Sequence, residues 1–119
     1  MIIPKGNYRS SVEAEFALML EEQKQKGQIE AWEYEPTPLL LGSAQRQYGN
    51  RAIDEVNYTP DFLVWSTVDE ILVATMIEVK GPKIWPIDRL KFKVAAKMYQ
   101  EYSWEMWQKT RKGVWKRLY

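Results

Sequence analysis

The sequence predicts an α/β domain with a mixed central sheet of four or five strands flanked by helices. Three observations carry that expectation. Apolar residues recur at helical spacing near the start, at Val12, Phe16, Met19 and Leu20. Alternating or strongly apolar runs at 29–35, 61–65 and 71–80 read as strands. A second helical pattern from Asp88 is followed by another strand-like run at Trp104–Trp107. Helices interleaved with strands in this way build one layered domain, and 119 residues suffice for one core.

Each element has its own justification. A helix is expected over residues 9–26: Ser10 or Ser11 supplies the N-cap, Ser10 with Glu13 has capping-box spacing, and Gly27 is a natural stop. Residues 29–35 alternate strictly, as a strand with one wet face does, and Pro36 and Pro38 then limit ladder pairing. Leu39 to Leu41 can form a short strand or edge. Residues 42–57 show no period and hold Gly42, Ser43, Gly49, Asn50 and Asn57, so they read as a long loop carrying Arg46 and Arg51.

Two strands follow, 61–65 and 71–80, with a turn near Asp69-Glu70. Ile71, Leu72, Val73, Met76, Ile77 and Val79 suggest burial on both faces. Gly81, Pro82 and Pro86 form a bend. Asp88 then caps a helix running to about Tyr102, with Leu90, Val94, Ala95, Met98 and Tyr102 as its apolar face and Arg89, Lys91, Lys93 and Lys97 mostly elsewhere. Trp104, Trp107 and Trp115 read first as core or dimer contacts and second as base-stacking surfaces. The chain reads as a single domain, 1–119, with a basic tail from about residue 108.

Composition narrows the chemistry. With neither Cys nor His, the chain has no disulfide, no thiolate metal site, no histidine-based triad and no His-ligated zinc. Any catalysis must come from carboxylates, Lys, Tyr, Ser or a hard cation held by oxygen. Met1 to Gly6 lacks the apolar segment of a signal peptide, and no run approaches membrane-span length, so a non-membrane, cytoplasmic protein is expected. Net charge is only +1, yet from Lys80 onward 11 basic residues face three acidic ones. Such a local basic field attracts phosphate.

The chemistry concentrates at Asp61, Glu78 and Lys80. If 61–65 and 71–80 form a hairpin about Asp69-Glu70, opposed positions add to 139 and Asp61 falls opposite Glu78. Their Cβ atoms would then lie roughly 5 Å apart. Alternation puts Glu78 and Lys80 on one face. Two close carboxylates in a partly buried place take up a proton or bind a cation between them. A hard divalent ion there polarises a phosphate and acidifies a bound water, while Lys80 orients that water or stabilises charge on phosphorus-bound oxygen. A lone Glu-x-Lys is also what a surface ion pair looks like. Here Ile77 and Val79 flank Glu78, and an unpaired charge between them is costly.

Tyr58-Thr59-Pro60-Asp61-Phe62 followed by Glu78-Val79-Lys80-Gly81 resembles the PD-(D/E)-x-K nuclease superfamily. With Tyr8-Arg9-Ser10-Ser11-Val12-Glu13 ahead of them, these motifs look most like the phage endonuclease I family of Holliday-junction resolvases, in order and spacing from about Tyr8 to Trp107. The resemblance implies a restriction-endonuclease-like core and a Mg²⁺-dependent DNA endonuclease in which Mn²⁺ can substitute. It implies that Asp61, Glu78 and the Val79 carbonyl bind metal, with Glu13 as the further carboxylate of a two-metal site. Lys80 would be the catalytic lysine, and Arg9 would lie near the scissile phosphate. Branched DNA is the implied substrate, a homodimer the implied assembly, and a phage-encoded protein acting in a host cell the implied setting.

The basic face near Lys80 adds Lys83, Arg89, Lys91 and Lys93 as expected DNA contacts. The loop at 42–57 looks longer than in those resolvases, and the segment after Trp107 has no placed counterpart there. Two alternatives stand beside the junction reading: a nuclease of the same superfamily acting on duplex, nicked or flap DNA, and a non-catalytic DNA-binding accessory protein of recombination.

Overall fold

The computed structural model describes residues 8–46 and 52–119. The expectations that fall on Met1 to Gly6, Gly49, Asn50 and Arg51 lie outside the described residues.

Helix α1 spans Ser11–Gln25. Ser10 caps it in an extended conformation: its hydroxyl accepts the Glu13 N–H at 3.2 Å and donates to Glu13 Oε2 at 2.8 Å. This reciprocal pair fixes the entry of the helix and holds the Glu13 carboxylate at the same time. Gly27, with φ +74°, takes the left-handed turn past the helix end that a residue with a Cβ adopts at a cost.

The strands in chain order are β1 (Ala31–Tyr34), β2 (Leu39–Gly42), β3 (Gln45–Arg46), β4 (Ala52–Ile53), β5 (Val56–Tyr58), β6 (Phe62–Val68) and β7 (Ile71–Lys80). Helix α2 (Pro86–Met98), β8 (Ser103–Lys109) and β9 (Trp115–Arg117) follow. Five strands make the mixed central sheet, in the order β1-β6-β7-β8-β9. Among the described residues only the β7/β8 pair is parallel, and α2 is the crossover that parallel neighbours require.

The β6/β7 hairpin has the register expected from its turn: Phe62 pairs with Ile77 and Val68 with Ile71. Asp69 and Glu70 make the turn with φ +50° and +66°, the sign that a two-residue hairpin needs to match strand twist.

Side-chain alternation assigns the two faces. Phe62 and Val64 of β6 and Ile77 and Val79 of β7 pack under Phe16, Ala17 and Leu20 of α1, joined by Trp107 and Trp115. Leu63 and Met76 point the other way, into a cluster with Leu39, Trp65, Tyr99, Tyr102 and Trp104. Phe92 of α2 meets Trp104 edge-on at 5.8 Å, so α2 covers this second face.

Four local expectations need correcting. The described part of the 42–57 segment is not a plain loop: it carries β3, β4 and β5, with β3 pairing β4 and β5 pairing the short strand expected at Leu39 to Leu41, each too short to show a period. The start of β7 is not buried on both faces, since Ile71 and Leu72 are 65% and 58% exposed and burial begins at Thr75, where the helices cover the hairpin. Helix α2 starts at Pro86 with Trp85 as N-cap and ends at Met98, so Asp88 is a first-turn residue and Tyr102 lies beyond the helix. Its buried face is Phe92 and Ala95, while Leu90 and Met98 are exposed.

The segment after residue 108 is folded onto the sheet. A turn through Gly113 returns β9 antiparallel to β8, with Lys109 opposite Trp115. Trp115 packs on Phe16 at 5.4 Å between ring centroids. Among the described residues no helix is long and apolar enough to cross a membrane.

Candidate active site

The ends of β6 and β7 nearest Asp61 and Lys80 open into a cleft of about 420 Å³, which Arg9, Ser10 and Glu13 line from the α1 side and Asp88 and Lys91 from α2. Asp61, Glu78, Val79 and Lys80 complete its floor, with Tyr58 beside them.

Glu78 is 5% exposed and sits mid-sheet, with Met106 of β8 beside it. Its other flank faces Asp61, because the hairpin register carried one step past Phe62–Ile77 places the two residues opposite each other. Asp61 is fixed by the sheet itself: the backbone N–H of Val79 donates to its Oδ2 at 2.8 Å. Burial raises the Asp61 pKa far above the ordinary carboxylate range, and the Glu78 charge raises it further, so the pair disfavours two bare negative charges.

Lys80 answers part of that charge. Its Nζ lies 3.2 Å from Glu78 Oε2 and 3.5 Å from Asp88 Oδ2. Burial works against the lysine charge, but Glu78, Asp88 and Asp61 outweigh it and its pKa is raised, so Lys80 is an ammonium at neutral pH. The other Glu78 oxygen, Oε1, is buried without a hydrogen-bond partner among the described residues, and so is the Tyr58 hydroxyl. Burial, then the charges of Glu78 and Asp61, push the Tyr58 pKa up.

Glu13 reaches the cleft from α1 and is 6% exposed. Besides Ser10, the Tyr34 hydroxyl holds it, donating to Oε1 at 3.1 Å while accepting the Arg9 N–H at 3.1 Å. Both Glu13 oxygens are therefore engaged. Among the described residues no three acidic side chains already converge as a ligand cluster. The donor set nonetheless fits a hard divalent cation. Asp61 and Glu78 offer neighbouring carboxylate oxygens that could hold such an ion, one Glu78 oxygen is buried and unsatisfied, and Glu13 lines the same space.

Of the residues expected from sequence to act, Arg9, Glu13, Asp61, Glu78, Val79, Lys80 and Lys91 meet in this one cleft. Arg9 pairs with Glu35 at 3.0 Å at the rim. Lys83, Arg89 and Lys93 lie outside the lining. Lys83 caps the exposed Trp85 ring at 4.0 Å, Arg89 donates to the Tyr119 hydroxyl at 3.2 Å, and Lys93 lies over the Tyr119 ring. Three residues with evident parts in the site were not singled out by the sequence: Tyr34, Tyr58 and Asp88. Tyr58 stands in the same short motif as Asp61, which was the available signal. Nothing local marks Tyr34, whose partners Glu13 and Arg9 are distant in sequence, and Asp88 reads from sequence as a helix cap and not as a partner of Lys80. The three tryptophans pack in or against the cores, Trp107 and Trp115 on the α1 face and Trp104 on the α2 face.

The chain was compared with protein-family models, with curated proteins and with solved structures, and none of the three comparisons gave a match.

Proposed function

We propose that this protein is a divalent-metal-dependent endodeoxyribonuclease, with Mg²⁺ as its ion and Mn²⁺ as a substitute. The observation that carries this reading is the juxtaposition of Asp61 and Glu78 with Lys80 held against Glu78 at 3.2 Å in one cleft. It is supported by the unsatisfied Glu78 Oε1 and by the excess of basic residues from Lys80 onward.

Asp61 and Glu78 would hold the ion, with Glu13 and the Val79 carbonyl as further ligands. A bound ion would supply Lewis acidity toward a phosphate oxygen and a water of lowered pKa. The protein's own groups have separate tasks. Asp61 stays aimed by the Val79 N–H, and Glu13 stays aimed by Ser10 and Tyr34. Lys80 brings a fixed positive charge to where negative charge grows on the phosphate. Lys91 at the cleft and Lys83 and Lys93 on the neighbouring surface offer phosphate contacts.

Branched DNA such as a Holliday junction is the substrate we favour, through the resemblance to the phage endonuclease I resolvases. The assembly would be a homodimer, since two symmetric cuts need two sites, and the setting a host-cell cytoplasm. Conversion of supercoiled plasmid to nicked and linear forms tests the chemistry. We expect cleavage with Mg²⁺, none with EDTA and none with Glu78→Ala. Cleavage that survives EDTA would overturn the reading, and binding of DNA without cleavage in Mg²⁺ or Mn²⁺ would favour an accessory protein instead.

A further inference from the structure

Lys80 is shared between two carboxylates that have different consequences for the site. Glu78 belongs to the buried pair, and its Oε2 is 3.2 Å from the lysine. Asp88 stands apart, on the first turn of α2, half-exposed, with Oδ2 3.5 Å from the same ammonium. An ammonium seated wholly on Glu78 would neutralise one of the two oxygens of the residue best placed to bind a cation. Two positive groups cannot both occupy Glu78 without repulsion. A second acceptor within 3.5 Å of Nζ changes that competition, because it can hold the lysine in the cleft while Glu78 gives up its share.

We infer that Asp88 is a positioning residue that draws Lys80 away from Glu78, freeing Glu78 for a divalent cation while keeping the ammonium at the cleft. The inference rests on the metal-dependent reading above and adds a role for a residue outside the Asp61, Glu78, Lys80 set. The location suits the task. Pro86 starts α2 with fixed φ, and the first turn that it opens carries Asp88 within reach of Lys80. Lys80 is only 21% exposed in its side chain, so its ammonium has few other partners to choose.

The test is calorimetric titration with Mn²⁺, without DNA, of wild type, Asp88→Asn, Lys80→Ala and the double variant. We expect Asp88→Asn to weaken Mn²⁺ binding on the order of tenfold, as loss of groups that orient metal ligands does. In the Lys80→Ala background the same change should shift affinity by less than about twofold, because the competitor is gone. Asp88→Glu should recover most of the wild-type affinity.

An equal loss in both backgrounds would overturn the inference, since Asp88 would then act on the cation directly. No loss in either would overturn it too, leaving Asp88 a helix-terminus residue only. If Asp88→Asn melts without a cooperative transition, Asp88→Ser carries the same cycle. A wild type that takes up no Mn²⁺ at all would instead remove the metal-dependent reading, a different result from a wild type that binds and an Asp88 variant that binds equally well.

Discussion

The backbone N–H of Val79 donates to Asp61 Oδ2 at 2.8 Å, from the strand that carries Glu78 and Lys80 to the residue just before the strand beside it. One hydrogen bond thus ties the motif's first carboxylate to the main chain between its second carboxylate and its lysine. Because the register of β6 and β7 is set by the Asp69-Glu70 turn at the far end, the hairpin delivers the three groups together. The cost is two carboxylates side by side in a poorly solvated place, and that cost can be measured.

Asp61→Asn should stabilise the protein in the absence of divalent cations while abolishing the proposed cation site. The Asp61 pKa is raised in the folded state, so ionising it is harder folded than unfolded. Stability is therefore lost as pH rises from the ordinary carboxylate range, about 4, toward the raised value. An asparagine keeps an oxygen for the Val79 N–H and carries no charge. In EDTA at neutral pH, thermal melting should show a gain on the order of 1 kcal/mol, shrinking as pH falls toward 4. In Mg²⁺ the variant should show no metal-induced rise in Tm.

Tyr34→Phe separates the support of Glu13 from Glu13 itself. The variant keeps the ring against Phe62, where centroids are 5.4 Å apart, and loses the donor to Glu13 Oε1 and the acceptor for the Arg9 N–H. Melting should show a loss of about 1 kcal/mol. If Glu13 takes part in catalysis, the cleavage rate under saturating Mg²⁺ should fall on the order of tenfold. An unchanged rate would return Glu13 to its capping role alone.

The Asp69-Glu70 turn should be improvable without touching the site. Both residues have positive φ, which side chains with a Cβ adopt at a cost and which Asn-Gly accommodates. The double change Asp69→Asn with Glu70→Gly should stabilise the fold by about 1 kcal/mol. Chemical denaturation checks the gain, and cleavage activity should be unaltered because the turn is at the opposite end of the hairpin.

The proposed DNA contact by α2 would have a salt signature. Lys91 lines the cleft and Lys93 is exposed one helical face away. If each touches a phosphate, Lys91→Ala and Lys93→Ala should each weaken binding to any DNA and flatten the slope of log affinity against log salt by about 0.9. Fluorescence anisotropy across a salt series measures it, and an unchanged slope would remove that lysine from the DNA face.

The parts of this molecule legible in its sequence are those governed by short-range rules. Helix α1 was readable from Ser10, Glu13 and a stripe at helical spacing, and the hairpin was readable because its turn and its alternation agree. The opposition of Asp61 and Glu78 followed from that register alone. What escaped was set by contacts distant in sequence. Leu90 and Met98 have the spacing of a buried face and are exposed, while Phe92, which is not on the expected face, is buried with Trp104 edge-on to it. The pairing of β2 with β5 joins segments whose partners local pattern cannot identify. The hold of Tyr34 on Glu13 and of Asp88 on Lys80 depends on elements that meet only in the folded chain.

The most direct measurement is cleavage of a labelled four-way junction by purified wild type and by Glu78→Gln, in Mg²⁺ and in EDTA, with linear duplex of the same sequence alongside. The nuclease account predicts Mg²⁺-dependent cuts at the junction by the wild type and none by Glu78→Gln. It predicts slower cutting of the duplex. A wild type that leaves both substrates whole in Mg²⁺ and in Mn²⁺, or a Glu78→Gln variant that cuts as fast as the wild type, would contradict it.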